Sequence, residues 1–300
     1  MGSFKGHVLP GSLFLLVGAW HVWAAAVRYV LDPGAFRVRT WRPFGGGSGD
    51  SSSGPSGRLR HLELYVVAGG SLLDMGVELL YSTHLHWFVG DDRVLNPAHM
   101  NDFEHGGMLL MFFLYGLVAL LSEKTRYLPL PEGTLCLITS VAFTAEFLLF
   151  YFHSTSHMGL EGYYHLLLVI LVGLSVASSI GGALFPSSFA VDLACSISII
   201  LQGLWFYQTA FTLYGPMMPR GCHLDLESND IKCKSHDNQV RGELLANFQL
   251  FSLVFLVFVY VLGSYVVAAH WYGHPELKSI HAAASREEGE DGGEDEVISH

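Results

Sequence analysis

The sequence predicts an all-α integral membrane protein built as a seven-transmembrane helix bundle, and three observations lead there. Apolar residues make up 51% of the 300-residue chain against 14% charged, and the mean hydropathy is +0.37. The apolar residues gather into long blocks instead of being dispersed as in a soluble core. The blocks also lack the two-residue alternation of a membrane β-barrel, which leaves helices as the element whose backbone polar groups are satisfied within lipid.

Blocks of about 20 apolar residues, enough to cross roughly 30 Å of hydrocarbon, fall near Val8–Val30, Leu62–His84, Phe103–Leu121, Leu135–His153, Tyr163–Leu184, Phe189–Tyr214 and Ala246–His270. The first block is too long for a signal-peptide core and is expected to be a retained helix. Gly2 does not open an acylation pattern, because position 6 is Gly where Ser or Thr is wanted. Between the first two blocks, residues 32–60 hold a Gly/Ser/Pro stretch that cannot bury a core and is expected to be a flexible loop. Pro129 and Pro131 mark the turn between the third and fourth blocks, and Pro186 marks the one before the sixth. Residues 1–272 thus form one transmembrane domain. Residues 273–300 form an acidic tail too polar to fold alone.

Charge orients the bundle. Arg37, Arg39, Arg42, Arg58 and Arg60 flank the first loop, and Lys124 and Arg126 follow the third span on the same side, which the positive-inside rule makes cytoplasmic. An odd number of spans then puts the N-terminus outside or in a lumen and the C-terminus in the cytoplasm. The choice between plasma membrane and endomembrane stays open. The loop at about 216–243 lies on the outer side, where a Cys222–Cys233 disulfide would persist; two free thiols are the alternative. Arg220, Lys232, Lys234 and Arg241 in that loop oppose this orientation. The net charge of −11 mostly reflects seven acids after Arg286, and the arginines form one short cluster without aromatic platforms. The expected partner is therefore the lipid bilayer and not nucleic acid. A homodimer is a further candidate partner, although no strict GxxxG motif argues for it.

Polar residues gather on the outer side. His84, His86, His99, His105, His153, His157 and His165 all fall there, and the run from Glu146 to His165 carries a carboxylate and three imidazoles at the edge of hydrocarbon. Such groups are costly in lipid unless paired, hydrogen-bonded or bound to an ion. Glu146 and His153 stand two helical turns apart on one face, and Asp74 and Glu78 share a face four residues apart. Imidazole with carboxylate is a zinc-type donor set. The candidate metal ligands are His105, His153, His157 and His165, with Glu78 or Glu146 as the carboxylate and Zn2+ as the cofactor. Ring nitrogens of His153, His165 and at least one of His105 or His157 are expected within about 5 Å of a common point. An interhelical hydrogen-bond network and a proton relay account for the same residues and stand beside the metal site. Gln202, Trp205 and Gln208 lie at helical spacing, and the two amides are expected to join helices. His21 reads as a satisfied core imidazole. The Gly-Gly pairs at 69–70, 106–107 and 181–182 read as points of close helix approach.

Gly-His-Val-Leu-Pro-Gly at 6–11, Asn-Asp-Phe-Glu-His at 101–105, the run from Phe152 through His153 and His165, Leu-Gln-Gly-Leu-Trp at 201–205 and Pro-Arg-Gly-Cys at 219–222 carry a resemblance. The chain from Met1 to about Tyr272 resembles the transmembrane protein 45 family, in particular its plant-type members built on domain of unknown function 716. That resemblance implies a seven-helix, multi-pass protein without an established activity, and it marks His105, His153, His157 and His165 as the family-like polar cluster. The function expected is non-enzymatic: a transport, adaptor or stress-response and defence-response component with a His-rich cavity near the outer leaflet. The alternative, from another class, is a metal-dependent intramembrane hydrolase acting on a lipid. There three histidines hold zinc and Glu146 or Asp74 activates water, but no nucleophile constellation supports it. A proton-coupled carrier ranks below both, for want of an inverted repeat.

Overall fold

The computed structural model describes residues 3–43, 60–82, 97–225 and 230–273, with the side chains of residues 81, 82 and 97–99 excluded. Seven helices lie among the described residues: α1 Phe4–Leu31, α2 Leu62–Gly76, α3 Pro97–Lys124, α4 Thr134–Ser156, α5 Leu160–Leu184, α6 Phe189–Leu213 and α7 His236–Tyr272. A π-helical turn, Val77–Ser82, continues α2, and a short antiparallel hairpin of β1 Cys222–Leu224 and β2 Ile231–Cys233 precedes α7. Six of the helices, all but α2, are long and apolar enough to cross a membrane. Their outer faces carry exposed Leu16, Leu174, Phe251, Phe255 and Val266, apolar surface that water would not tolerate and lipid does. The chain is an all-α, multi-pass membrane protein.

Caps and glycines set where the helices begin. The hydroxyls of Ser3, Ser188 and Ser235 accept the backbone N–H of Gly6, Val191 and Asn238, satisfying otherwise orphaned donors at the starts of α1, α6 and α7. Gly133 and Gly159 take positive φ angles of 80° and 75° directly before α4 and α5, a region closed to most side chains. Helices α2, α3, α4, α5, α6 and α1 are successive neighbours around a ring, and α7 packs outside it against α1 and α6. The tightest seam is between α1 and α6. A Cβ on Gly18 would stand 2.7 Å from the Ile200 nitrogen, and one on Gly203 would stand 2.5 Å from the Leu15 nitrogen. In lipid, such backbone proximity is what small residues contribute to helix association. Of the Gly pairs singled out in the sequence, Gly69 and Gly107 face open space, whereas Gly70, Gly106, Gly181 and Gly182 meet neighbouring side chains.

The loop after α1 departs from expectation in its first part. Residues 36–43 are not free: Phe36, Trp41 and Arg42 are buried, and Val38 donates its N–H to the Pro186 carbonyl. The strap closes one end of the ring because two carboxylates hold it there. Arg42 Nη2 donates to Asp192 Oδ2 at 2.6 Å, and the Arg42 N–H donates to Glu63 Oε2 at 2.8 Å. His21 Nε2 meets the other Glu63 oxygen at 2.7 Å. The rest of the expected flexible loop, residues 44–59, and the tail residues 274–300 lie outside the described residues.

Candidate functional site

At the end of the ring opposite the Arg42 strap, four helices bring histidines together. His153 is the hub: its ring centroid lies 5.0 Å from that of His105, 5.6 Å from His157 and 5.8 Å from His165. The α4–α5 corner is responsible. Gly159 lets the chain reverse within three residues, and a Cβ at Gly162 would sit 2.2 Å from the His157 carbonyl oxygen, so the last turn of α4 and the first of α5 pack without a gap. His105 arrives from the third turn of α3. Beside it stands Glu78, whose Oε2 is 3.8 Å from His105 Nδ1. Glu78 projects from the π turn; such turns interrupt the helical ladder and are frequent at functional sites.

Hydrogen bonds set the proton positions on three rings. Nδ1 of His153 lies 2.9 Å from the Leu149 carbonyl, Nδ1 of His165 lies 3.0 Å from that of Glu161, and Nδ1 of His7 lies 2.9 Å from that of Ser3. A carbonyl only accepts, so each Nδ1 carries the hydrogen and each neutral ring keeps its lone pair on Nε2. Metal-binding histidines are oriented in the same way, with the second ring nitrogen donating to a carbonyl or carboxylate. His105 Nε2 and His153 Nε2 face each other at 3.2 Å. Two nitrogens on one tetrahedral zinc, each about 2.0–2.1 Å from the ion, stand about 3.3 Å apart. A proton held between the two nitrogens fits the same spacing.

The four candidate histidines share a chamber but do not close into a single shell. Among the described residues, the tight group of His, Cys, Asp or Glu ligand atoms, all within 4.8 Å of one another, is instead His157, Glu161 and Asp230. Glu146 is not part of the cluster either. It is 0% exposed, faces the interior from α4 two turns below His153, and neither carboxylate oxygen has a hydrogen-bond partner. Interior burial of a carboxylate without a partner is costly, so this position is not explained by packing alone. His84, His86 and the side chain of His99 lie outside the described residues.

A cavity of about 170 Å3 joins these features. It begins among His7, Glu78, His105, His153 and His165, passes an apolar middle of Leu13, Phe14, Met108, Phe112, Phe143 and Phe150 with Glu146 in its wall, and reaches Glu63, Arg42 and Asp192 at the strap. Along α1 it runs from His7 to His21, about 21 Å at 1.5 Å per residue. Asp74, about one turn before Glu78, lines the same space.

Residues 132–266 match a family of unknown function, DUF716. Through that region, rather less than half of the chain, the sequence is similar to DUF716. The DUF716 region runs from the start of α4 into the last third of α7 and holds Glu146, His153, His157, Glu161, His165, Asp192 and the cysteine pair. The remaining wall of the chamber, His7, Glu78 and His105, comes from the helices before it.

Sequence reasoning missed four participants of the cavity. His7 lies 6.1 Å centroid to centroid from His165 and 5.1 Å from Tyr214. Glu63, Asp192 and Arg42 were overlooked because their partners are remote in sequence. His21 is a satisfied imidazole through Glu63. Gln202 Nε2 donates across helices to Ser175 Oγ at 2.5 Å, whereas Gln208 Nε2 donates at 2.9 Å to Thr212 on its own helix, so the second amide does not join helices as expected. Trp205 Nε1 donates to the Tyr164 carbonyl at 3.0 Å. Cys222 and Cys233 are disulfide-bonded, closing the hairpin with their Cα atoms 3.9 Å apart, and Cys136 and Cys195 are free.

Proposed function

We propose that this protein is a non-enzymatic, seven-crossing membrane protein that binds a divalent transition-metal ion, zinc by its donor set, in the chamber of His105, His153 and His165, and conducts it along the cavity. The observation that carries this reading is the facing pair of Nε2 atoms 3.2 Å apart at the mouth of a cavity that continues past Glu146 to the far end of the bundle. Glu78 and His7 are the neighbouring donors, and Glu146 is the carboxylate met by an ion moving inward. Zinc bound there takes nitrogen and oxygen ligands without redox chemistry. The chain's own residues orient the imidazoles through the Leu149 and Glu161 carbonyls and exclude lipid with Phe150 and Phe206.

Seven crossings are supported by α2. Glu63 at its start meets His21 and the strap, and Glu78 in its π turn meets His105 at the opposite end. The histidine end is assigned to the exterior or lumen, since the Cys222–Cys233 bond there persists in an oxidising compartment and the arginines gather at the other end. A lipid hydrolase fits less well, because a base must reach the metal-bound water and Glu146 makes no hydrogen bond to any imidazole.

Elemental analysis of detergent-purified protein, handled without chelator, is expected to return bound zinc, with one equivalent lost in His153→Ala, and proteoliposomes of the wild type are expected to take up zinc. A metal-free wild type that also fails to bind added zinc overturns the proposal. Bound zinc with no uptake overturns the conducting role and leaves a binding or adaptor protein.

A further inference from the structure

We infer that His157, Glu161 and Asp230 form a second site for a divalent first-row transition-metal ion, at the mouth of the chamber and separate from the His105–His153 pair. It goes beyond the proposed chamber and does not require it. His157 Nδ1 lies 3.9 Å from Glu161 Oε1 and 3.8 Å from Asp230 Oδ1, and one ligand atom from each of the three residues falls within 4.8 Å of the others. Ligands about 2.0–2.2 Å from a shared ion stand roughly 3–3.5 Å apart, so the three side chains must draw together by a fraction of an ångström to somewhat over 1 Å for closure.

Three elements converge to make the site. His157 caps the end of α4, Glu161 lies in the first turn of α5, and Asp230 directly precedes β2. The Cys222–Cys233 bond and the buried Ile231 fix the hairpin that presents Asp230. The independent mark of a missing partner is on Glu161. This side chain is 2% exposed; Oε1 accepts the Tyr214 hydroxyl at 2.7 Å, while Oε2 is buried with no hydrogen-bond partner. A buried carboxylate with one oxygen left bare is expensive, and a cation shared by this carboxylate, the His157 ring and Asp230 offsets that cost. One imidazole with two carboxylates is a donor set for zinc or manganese, and the half-exposed Asp230 leaves room for water to complete the coordination. His157 is 5.6 Å from His153 by ring centroid, so an ion released here is already beside the chamber.

The test is titration of the full-length, chelator-stripped protein in detergent with zinc chloride, comparing wild type, Asp230→Asn, Glu161→Gln and His105→Ala. Asparagine at the exposed position 230 keeps size and hairpin, and its unchanged unfolding midpoint serves as the folding control. Asp230→Asn and Glu161→Gln are expected to remove one equivalent of zinc or weaken it at least about tenfold, the lower bound for losing even an outer-shell partner. His105→Ala is expected to leave that equivalent in place. Zinc binding by Asp230→Asn identical to wild type overturns the mouth site, and loss in His105→Ala alone would leave only the proposed chamber. Loss in Asp230→Asn but not in His105→Ala supports the mouth site and removes the chamber.

Discussion

At Glu146 and Arg42 the same problem, a charge within a membrane bundle, has two different solutions. Arg42 is 1% exposed and ion-paired: its guanidinium meets Asp192 through Nη2, its backbone N–H meets Glu63, and only Nε is left without a partner. Removing one member of such a buried pair leaves the other uncompensated, so Arg42→Met is expected to cost about 3–5 kcal/mol, seen as a lower unfolding midpoint in detergent. Glu146 has no such partner, and it lies in the cavity wall. Replacing it by Leu removes two unsatisfied buried atoms and is expected to stabilise the fold by about 1–3 kcal/mol. The same substitution should leave zinc bound at the histidines while abolishing uptake. A stabilised protein that transports normally would deny Glu146 any role in conduction. Stability and function therefore pull in opposite directions at this residue, as expected where a strained group is retained for its chemistry.

Among the elements, the glycines divide by what surrounds them. Gly69 and Gly107 face open space on α2 and α3, so alanine there is expected to add about 0.5–1 kcal/mol each. Gly162 sits 2.2 Å, measured from an added Cβ, from the backbone of His157. Gly162→Ala must push α4 and α5 apart at their corner, and zinc content should fall with it, as read by elemental analysis of the folded fraction. The sequence makes both classes look alike, because a Gly in an apolar block carries no sign of what it faces. Helix existence was more legible: α6 begins at Phe189 as its block predicts, since Ser188 is a recognisable cap. Helix α7 begins at His236, ten residues before its apolar block, because Ser235 caps a polar stretch that continues the helix outside hydrocarbon. Residues 36–43 were illegible as structure, since Asp192, the group that holds Arg42, lies 150 positions away. Of the chamber, His105, His153, His157 and His165 could be gathered from topology alone; His7 could not, because a lone imidazole near a chain end has no spacing to read.

For the whole molecule, the decisive quantity is the number of crossings, and α2 decides it. Its α-helical part spans only 15 residues, about 22 Å, less than the hydrocarbon of a typical bilayer. The π turn extends it, and its two glutamates reach both ends of the ring, with Glu63 at the Arg42 strap and Glu78 at His105. If α2 crosses, the termini fall on opposite faces. Ser3 bonds His7 at the histidine end, while Trp271 near the end of α7 packs against Trp23 at 6.2 Å, toward the strap. Tags placed at the two termini are therefore expected to be protected from protease on opposite sides of sealed vesicles. A membrane-impermeant reductant should open Cys222–Cys233 from the side on which the N-terminal tag is cleaved. Termini digested from one side would mean that α2 lies in the bundle without crossing. The cavity would then open toward a single leaflet, and an ion held by the histidines would have no route to the other face.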